Sequence, residues 1–319
     1  MELPNELKLA IERQTVGVPQ SKLRTASENI SIKYRNETGA GKRLVSTEID
    51  TLAYAIVRMP ATYGAVSSAL SYSLEFNNPG IKTVLDVGAG MGTATWAIES
   101  TIDTVERITC IEREPAMISF GKTLMKDSPS LLAKAEWICC DMRDLRLTQK
   151  FDLVVASYAL GELSDMDREK VIEKLWSFTN KLLLIVEPGT PLAFSNLRME
   201  RSQLINAEAS VVAPCPHSDT CPLPNDDWCH FTCRISRSRL HKQLKGGDAP
   251  YEDEKFAYLA VARDSIQTNS SRILRHPLIE SGRITLKLCT RNGIETKSVT
   301  KKQKDSFKVA RKAKCGDTF

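Results

Sequence analysis

The segment Asp86-Val-Gly88-Ala89-Gly90-Met-Gly92 constrains the fold of this chain more than any other. An apolar run, Thr83-Val-Leu-Asp-Val, stops at it, and Thr93 to Glu99 carries a helical pattern beyond it. Glycines permit the left-handed backbone of a tight turn and let main chain approach a ligand, and the following helix N-terminus offers unpaired N–H groups. Four more β-rich runs follow: Arg107 to Ile111, Ala135 to Cys140, Phe151 to Ala156 and Lys181 to Val186. Helical stretches at Pro115 to Met125 and Asp167 to Asn180 lie between them. Strands alternating with helices predict a parallel sheet covered on both faces. Lys255 to Arg263 reads as a late strand returning to that sheet.

Two acids sit where a nucleotide needs them. Glu112 lies twenty residues after Gly92 at the end of the second strand, placed for ribose hydroxyls. Asp141 ends the third strand, placed for an adenine amino group. The combination resembles the class I S-adenosylmethionine (SAM) methyltransferases rather than the NAD folds, whose Gly-x-Gly-x-x-Gly would need glycine where Thr93 stands. That resemblance implies SAM held by Asp86, Gly88, Ala89, Gly90, Gly92, Glu112, Asp141, Met142 and Ser157. The alternative is a tight turn with no cofactor. After the fourth strand stands Ser157-Tyr158-Ala-Leu160, without the Asn/Asp-Pro-Pro-aromatic tetrad of amino-group methyltransferases. Tyr158 and Glu162 face substrate or serve structure. The sequence assigns no catalytic residue.

Four of nine cysteines, Cys215, Cys221, Cys229 and Cys233, fall within nineteen residues together with His217 and His230. Soft ligands at that density point to a metal. Local spacing leaves three readings open. Cys229 and Cys233, with the histidines, suit a structural zinc. Cys215-Pro and Cys221-Pro suit a rigid iron–sulfur loop. The third is a set of unliganded thiols.

Ala213-Pro-Cys-Pro-His217, Cys221-Pro, Trp228-Cys-His-Phe231 and Tyr251-Glu-Asp-Glu-Lys-Phe-Ala-Tyr258 are similar to the signature of the small-ribosomal-subunit methyltransferase-like family. Arg58-Met-Pro-Ala-Thr-Tyr63, Ser157 to Leu163 and Ala310 to Asp317 extend the similarity over nearly the whole chain. The family comprises mitochondrial small-subunit assembly factors and their bacterial relatives. The resemblance implies a SAM domain, association with small-subunit ribosomal RNA or its precursor particle, and a [4Fe-4S] cluster. Its ligands would be Cys215, Cys221, Cys229 and the distant Cys289, with Cys233 as the fallback fourth and zinc the alternative metal.

Residues 1–78 read as helical, with apolar spacing over Glu6 to Arg13, Ala26 to Tyr34 and Ser46 to Met59, and a bend at Pro60. Asn77 to Gly80 marks a turn, so 79–263 is the expected Rossmann-like SAM domain, its cysteine-rich segment at about 205–250. A linker from Asp264 to Ser271 leads into a small basic β unit, 264–319, with a turn at Arg291-Asn292-Gly293. That unit carries 13 Lys/Arg against 5 Asp/Glu, a net +8 in a chain of +5. Such asymmetry favours a polyanionic partner, RNA, over a merely solvated tail. Apolar runs are too short for a bilayer, and the acidic start matches neither a secretory signal nor a transit peptide. A cytoplasmic monomer is the expectation.

Overall fold

The computed structural model describes residues 1–36, 45, 47–75, 79–128, 130–264 and 270–319. Part of the expected Asn77–Gly80 turn (77 and 78) and of the 264–271 linker (265–269) lies outside the described residues.

The helical N-terminal region consists of α1 (Asn5–Thr15), α2 (Gln20–Asn36), α3 (Glu48–Val57) and α4 (Met59–Leu74). Thr47 caps α3, its hydroxyl accepting the Asp50 N–H at 3.2 Å. Pro60 does not merely bend the chain. It sits in the first turn of α4, where its missing N–H leaves no helical bond unmade. From Met59 to Leu70 every residue of α4 is buried, because its small residues Ala61, Gly64, Ala65 and Ala69 let it lie close to the sheet.

The sheet domain runs β1 (Thr83–Val87), α5 (Thr93–Glu99), β2 (Arg107–Glu112), α6 (Pro115–Met125), β3 (Glu136–Cys139), β4 (Phe151–Ser157), α7 (Asp165–Phe178), β5 (Thr179–Pro188), α8 (Pro191–Asn206), β6 (Ser210–Ala213), β7 (Phe231–Ser236), α9 (Arg239–Lys245) and β8 (Tyr251–Ala262). Its order is β3-β2-β1-β4-β5-β8-β6, with β7 also on β8. The first five strands are parallel, and β8 returns antiparallel to β5. This is the sheet of the class I SAM-methyltransferase fold. Both faces are covered: Leu153 and Val155 join the cluster holding Trp96, while Val154 and Ala156 join the one holding Ile172 and Leu175.

One local expectation is corrected. The predicted helix to Asn180 stops at Phe178, because β-branched Thr179 is buried and already pairs with Phe151 of β4. Within the cysteine-rich segment, β7 takes Cys233 into a ladder opposite Glu254.

The C-terminal unit is β9 (Arg272–Ile273), β10 (Leu278–Glu280), β11 (Arg283–Thr290), β12 (Gly293–Thr300) and α10 (Lys304–Lys312). Thr290 pairs with Gly293, so the turn falls at Arg291-Asn292 as the sequence indicated. The helix α10 is an addition to the expected β unit. It buries Ala310 on Ile284, Leu286, Leu288 and Val299 and turns Lys304, Lys308, Arg311 and Lys312 outward. Arg272 ties the unit to the sheet domain from a buried position, donating to the Pro214 carbonyl at 3.1 Å and pairing with Glu75 at 3.3 Å.

Candidate functional site

The chain reverses its strand order between β1 and β4, and ligands of open α/β sheets bind at the carboxyl ends of strands beside that point. A cleft of about 910 Å³, including its open mouth, lies there. Gly88, Ala89, Gly90, Glu112, Asp141, Met142 and Ser157 line it. The other two residues assigned from sequence do not. Asp86 is fully buried under the loop; one carboxyl oxygen accepts the Thr95 hydroxyl at 2.8 Å and the other has no partner. Burial pushes its pKa up to about 7. Gly92 caps α5 at φ +83°, where a Cβ would lie 2.2 Å from the Met125 methyl. Both shape the loop from behind.

The lining suits a nucleoside. Glu112 accepts the N–H groups of Gly90, Arg113 and Glu114 at 2.8, 2.8 and 2.9 Å, which fixes its carboxylate at the loop. Its burial raises the pKa while those amides oppose the rise. Asp141 is clasped by Arg143, whose backbone N–H and guanidinium hydrogen bonds hold it below the usual carboxylate range. Of its roughly four acceptor positions, three are filled, leaving one for a ligand amino group. A Cβ at Gly90 meets no heavy atom within 4 Å, so that face of the loop is open.

Sequence reasoning missed the cleft's roof, to which Val45, Tyr54 and Thr62 of the N-terminal region contribute. Of the two uncertain residues, Glu162 lines the cleft, pairs with Arg113 at 3.0 Å, and is pushed up to about 7 by burial. Tyr158 lines it too, at φ +54°, a backbone conformation rare for a bulky residue. Its hydroxyl donates to Glu254 at 3.0 Å.

Behind the Leu160 turn, buried Glu187 accepts the Leu160 N–H at 3.0 Å and is pushed up to about 8, chiefly by burial. Between about pH 4.5 and 8 the native state then keeps a proton that the unfolded state has released. Stability therefore falls as pH rises across this window, by at most roughly 1.4 kcal/mol per unit from this group. Glu187→Gln keeps the acceptor oxygen and removes that loss. Urea midpoints at about pH 5 and pH 8 should differ less in the variant than in the parent chain; an unchanged difference would contradict the assignment.

The second site is a cavity between α8, β8 and the C-terminal unit. Cys215, Cys221, Cys229 and Cys289 all line it. Cys233 stands apart on β7, its sulfur packed against Gly64, where an added Cβ would lie 3.1 Å away. Burial and the neighbouring thiols push Cys229 well above the ordinary thiol range, and burial pushes Cys289 up to about 12. His217 brings Nε2 to 3.9 Å from the Cys289 sulfur. Among the described residues, no group of three or more His, Cys, Asp or Glu is arranged to hold a metal ion. The residues nevertheless suit an anionic sulfur-rich group. Arg201 Nε and the Tyr258 hydroxyl border the cavity, buried and without a partner. The two sites are close: Ser157 pairs with Val186 and Val186 with Tyr258, two strand spacings or about 10 Å.

The human mitochondrial ribosome assembly protein METTL17 is 27% identical over 330 residues, covering 97% of this chain and 70% of that protein. The Rsm22-cox11 tandem protein 2 of Schizosaccharomyces pombe is 23% identical, covering 86% of this chain and 43% of its own length. The chain thus spans under half of the yeast relative. Among solved structures, the N-methyltransferase NodS from Bradyrhizobium japonicum with S-adenosyl-l-homocysteine matches at 13% identity and a TM-score of 0.45, covering 74% of this chain and 97% of that one. The profile described as mitochondrial small ribosomal subunit Rsm22 matches residues 48–319, from α3 through the sheet and both sites to the last residue, and the chain belongs to that family.

Proposed function

We propose that this chain is a SAM-dependent methyltransferase that acts on RNA of the small ribosomal subunit during its assembly. The cleft carries this conclusion: an open glycine loop at the strand-order reversal with two carboxylates placed for a nucleoside. When bound, SAM supplies a methyl group to an in-line nucleophile, and positioning governs such a displacement. Glu112 would hold the ribose, Asp141 and Met142 the adenine, and the Gly88–Gly90 main chain the amino-acid end. The basic C-terminal unit, with Lys301, Lys302 and Arg311 exposed, would take the RNA backbone. Its membership of the Rsm22 family and its similarity to the human mitochondrial ribosome assembly protein support the partner.

The same proposal includes a [4Fe-4S] cluster on Cys215, Cys221, Cys229 and Cys289. A cluster's four thiolates bind different irons, so they stand farther apart than ligands of one zinc. All nine cysteines are unpaired, which suits a reducing compartment such as the cytoplasm.

A second reading, a scaffold that binds SAM without transferring methyl, is favoured by one observation. The Tyr158 hydroxyl is engaged by Glu254. Labelled SAM with immature small subunits separates the two: label in RNA supports transfer, and SAM binding without label leaves the scaffold. RNA affinity should fall steeply with salt, and charge reversal at Lys301, Lys302 and Arg311 should reduce that slope by about 0.7–0.9 for each phosphate no longer neutralised. A salt-independent affinity would remove the RNA assignment.

A further inference from the structure

We propose that Arg201 and Tyr258 are the two donors that compensate the charge of the four-thiolate centre and set its reduction potential. This rests on the cluster proposed above. Arg201 projects from α8 and is 6% exposed; its Nη2 donates to the His217 carbonyl at 2.9 Å, while Nε has no partner. Tyr258 projects from β8 and is 3% exposed, its hydroxyl likewise unpartnered. Both side chains line the cavity that the four sulfurs line.

Leaving a buried N–H or O–H unbonded is costly, and native structures rarely do so without a reason. Here two such donors border the same space, contributed by different elements. No Asp or Glu is among the described residues lining it, so nothing in the cavity wall competes for them. Arg272, the other buried guanidinium nearby, is already engaged by the Pro214 and Gly316 carbonyls and Glu75. The Tyr258 ring is fixed by stacking on Tyr72 at 6.0 Å and by packing on Phe231 and Phe256. Its hydroxyl therefore has a fixed direction. What fits two fixed donors and four thiols is an anion whose sulfurs accept hydrogen bonds. Such bonds, with a nearby positive charge, favour the more negative redox state and so raise the potential.

The test uses the full chain purified anaerobically, with iron and sulfide assayed first and the visible absorbance then titrated with dithionite, the electron donor. R201Q and Y258F should keep wild-type iron and sulfide and titrate at lower potential. The expected change is about tenfold in the reduced-to-oxidised ratio, roughly 59 mV for one electron. R201K, which keeps the charge, should restore most of the R201Q shift. Potentials equal to wild type in fully loaded variants would overturn the proposal. Loss of iron and sulfide from Y258F would also overturn it, since a donor that only tunes the potential can be removed from a loaded centre. Should R201Q fail to fold, Y258F decides, because it keeps the ring packing. A wild-type chain without iron and sulfide would instead overturn the cluster itself.

Discussion

The Cys289→Ser chain, prepared without oxygen, is expected to lose most of its iron and sulfide, whereas Cys233→Ser keeps both. Cys289 is the only one of the four cavity thiols carried by the C-terminal unit, on β11. A serine oxygen is a poor substitute for a soft thiolate. Removing an outer partner of a metal ligand already costs about 10–100-fold in affinity, and removing a ligand should cost at least the upper figure. The unit should then loosen without leaving. Lys287 and Arg275 still pair with Asp227, but those groups are partly exposed and such pairs are weak. Arg272 remains as the buried tie. Limited proteolysis should therefore cut faster around 270–319 in Cys289→Ser. Cys233, packed on Gly64 and away from the cavity, should cost only the burial of a hydroxyl, about 1–3 kcal/mol. Equal iron in Cys289→Ser and the parent chain would end the case for Cys289 as a ligand.

Much of this arrangement was legible from residues alone, and the exceptions share a cause. The glycine loop, Glu112 and Asp141 could be placed because a strand end and a helix start are local patterns. Asp86 and Gly92 belong to the same motif, yet they face away from the cleft toward Thr95 and Met125, partners set by packing. The roof residues Val45, Tyr54 and Thr62 had no sequence signal, because a helical region's contribution to a distant cleft depends on how it docks. Helix α10 was hidden by composition: Phe307 and Val309 among lysines suit a strand as well as a helix, and burial of Ala310 decides. The cysteine set is the clearest case. Spacing alone suited Cys229 with Cys233, but Cys229 precedes β7, whose ladder holds Cys233 opposite Glu254 with its sulfur against Gly64, while β11 brings Cys289 to the cavity.

Gly90→Arg should abolish measurable SAM binding and leave the fold intact, while Gly92→Ala should do the reverse of what its small size suggests. At Gly90 the backbone is left-handed, φ +58°, so a side chain there costs about 1–2 kcal/mol in strain. Nothing else opposes it, because the Cβ direction is open to 4 Å. The guanidinium stem then occupies the cleft where the main chain must approach the ligand, and calorimetry should show at least about a 100-fold loss, near 2.7 kcal/mol. Gly92 also has positive φ, +83°, but its Cβ would lie 2.2 Å from Met125 Cε and 3.4 Å from the Trp137 ring. Met125 is itself buried, so its methyl end has to swing within the core to clear the added atom. Backbone strain adds to overpacking of about 1–3 kcal/mol, so one methyl should destabilise the chain more than the arginine does. A Gly92→Ala chain as stable as its parent would show that α5 and α6 pack more loosely than the Met125 contact requires. A Gly90→Arg chain that still bound SAM would move the ligand off the loop altogether, and the methyltransferase proposal with it.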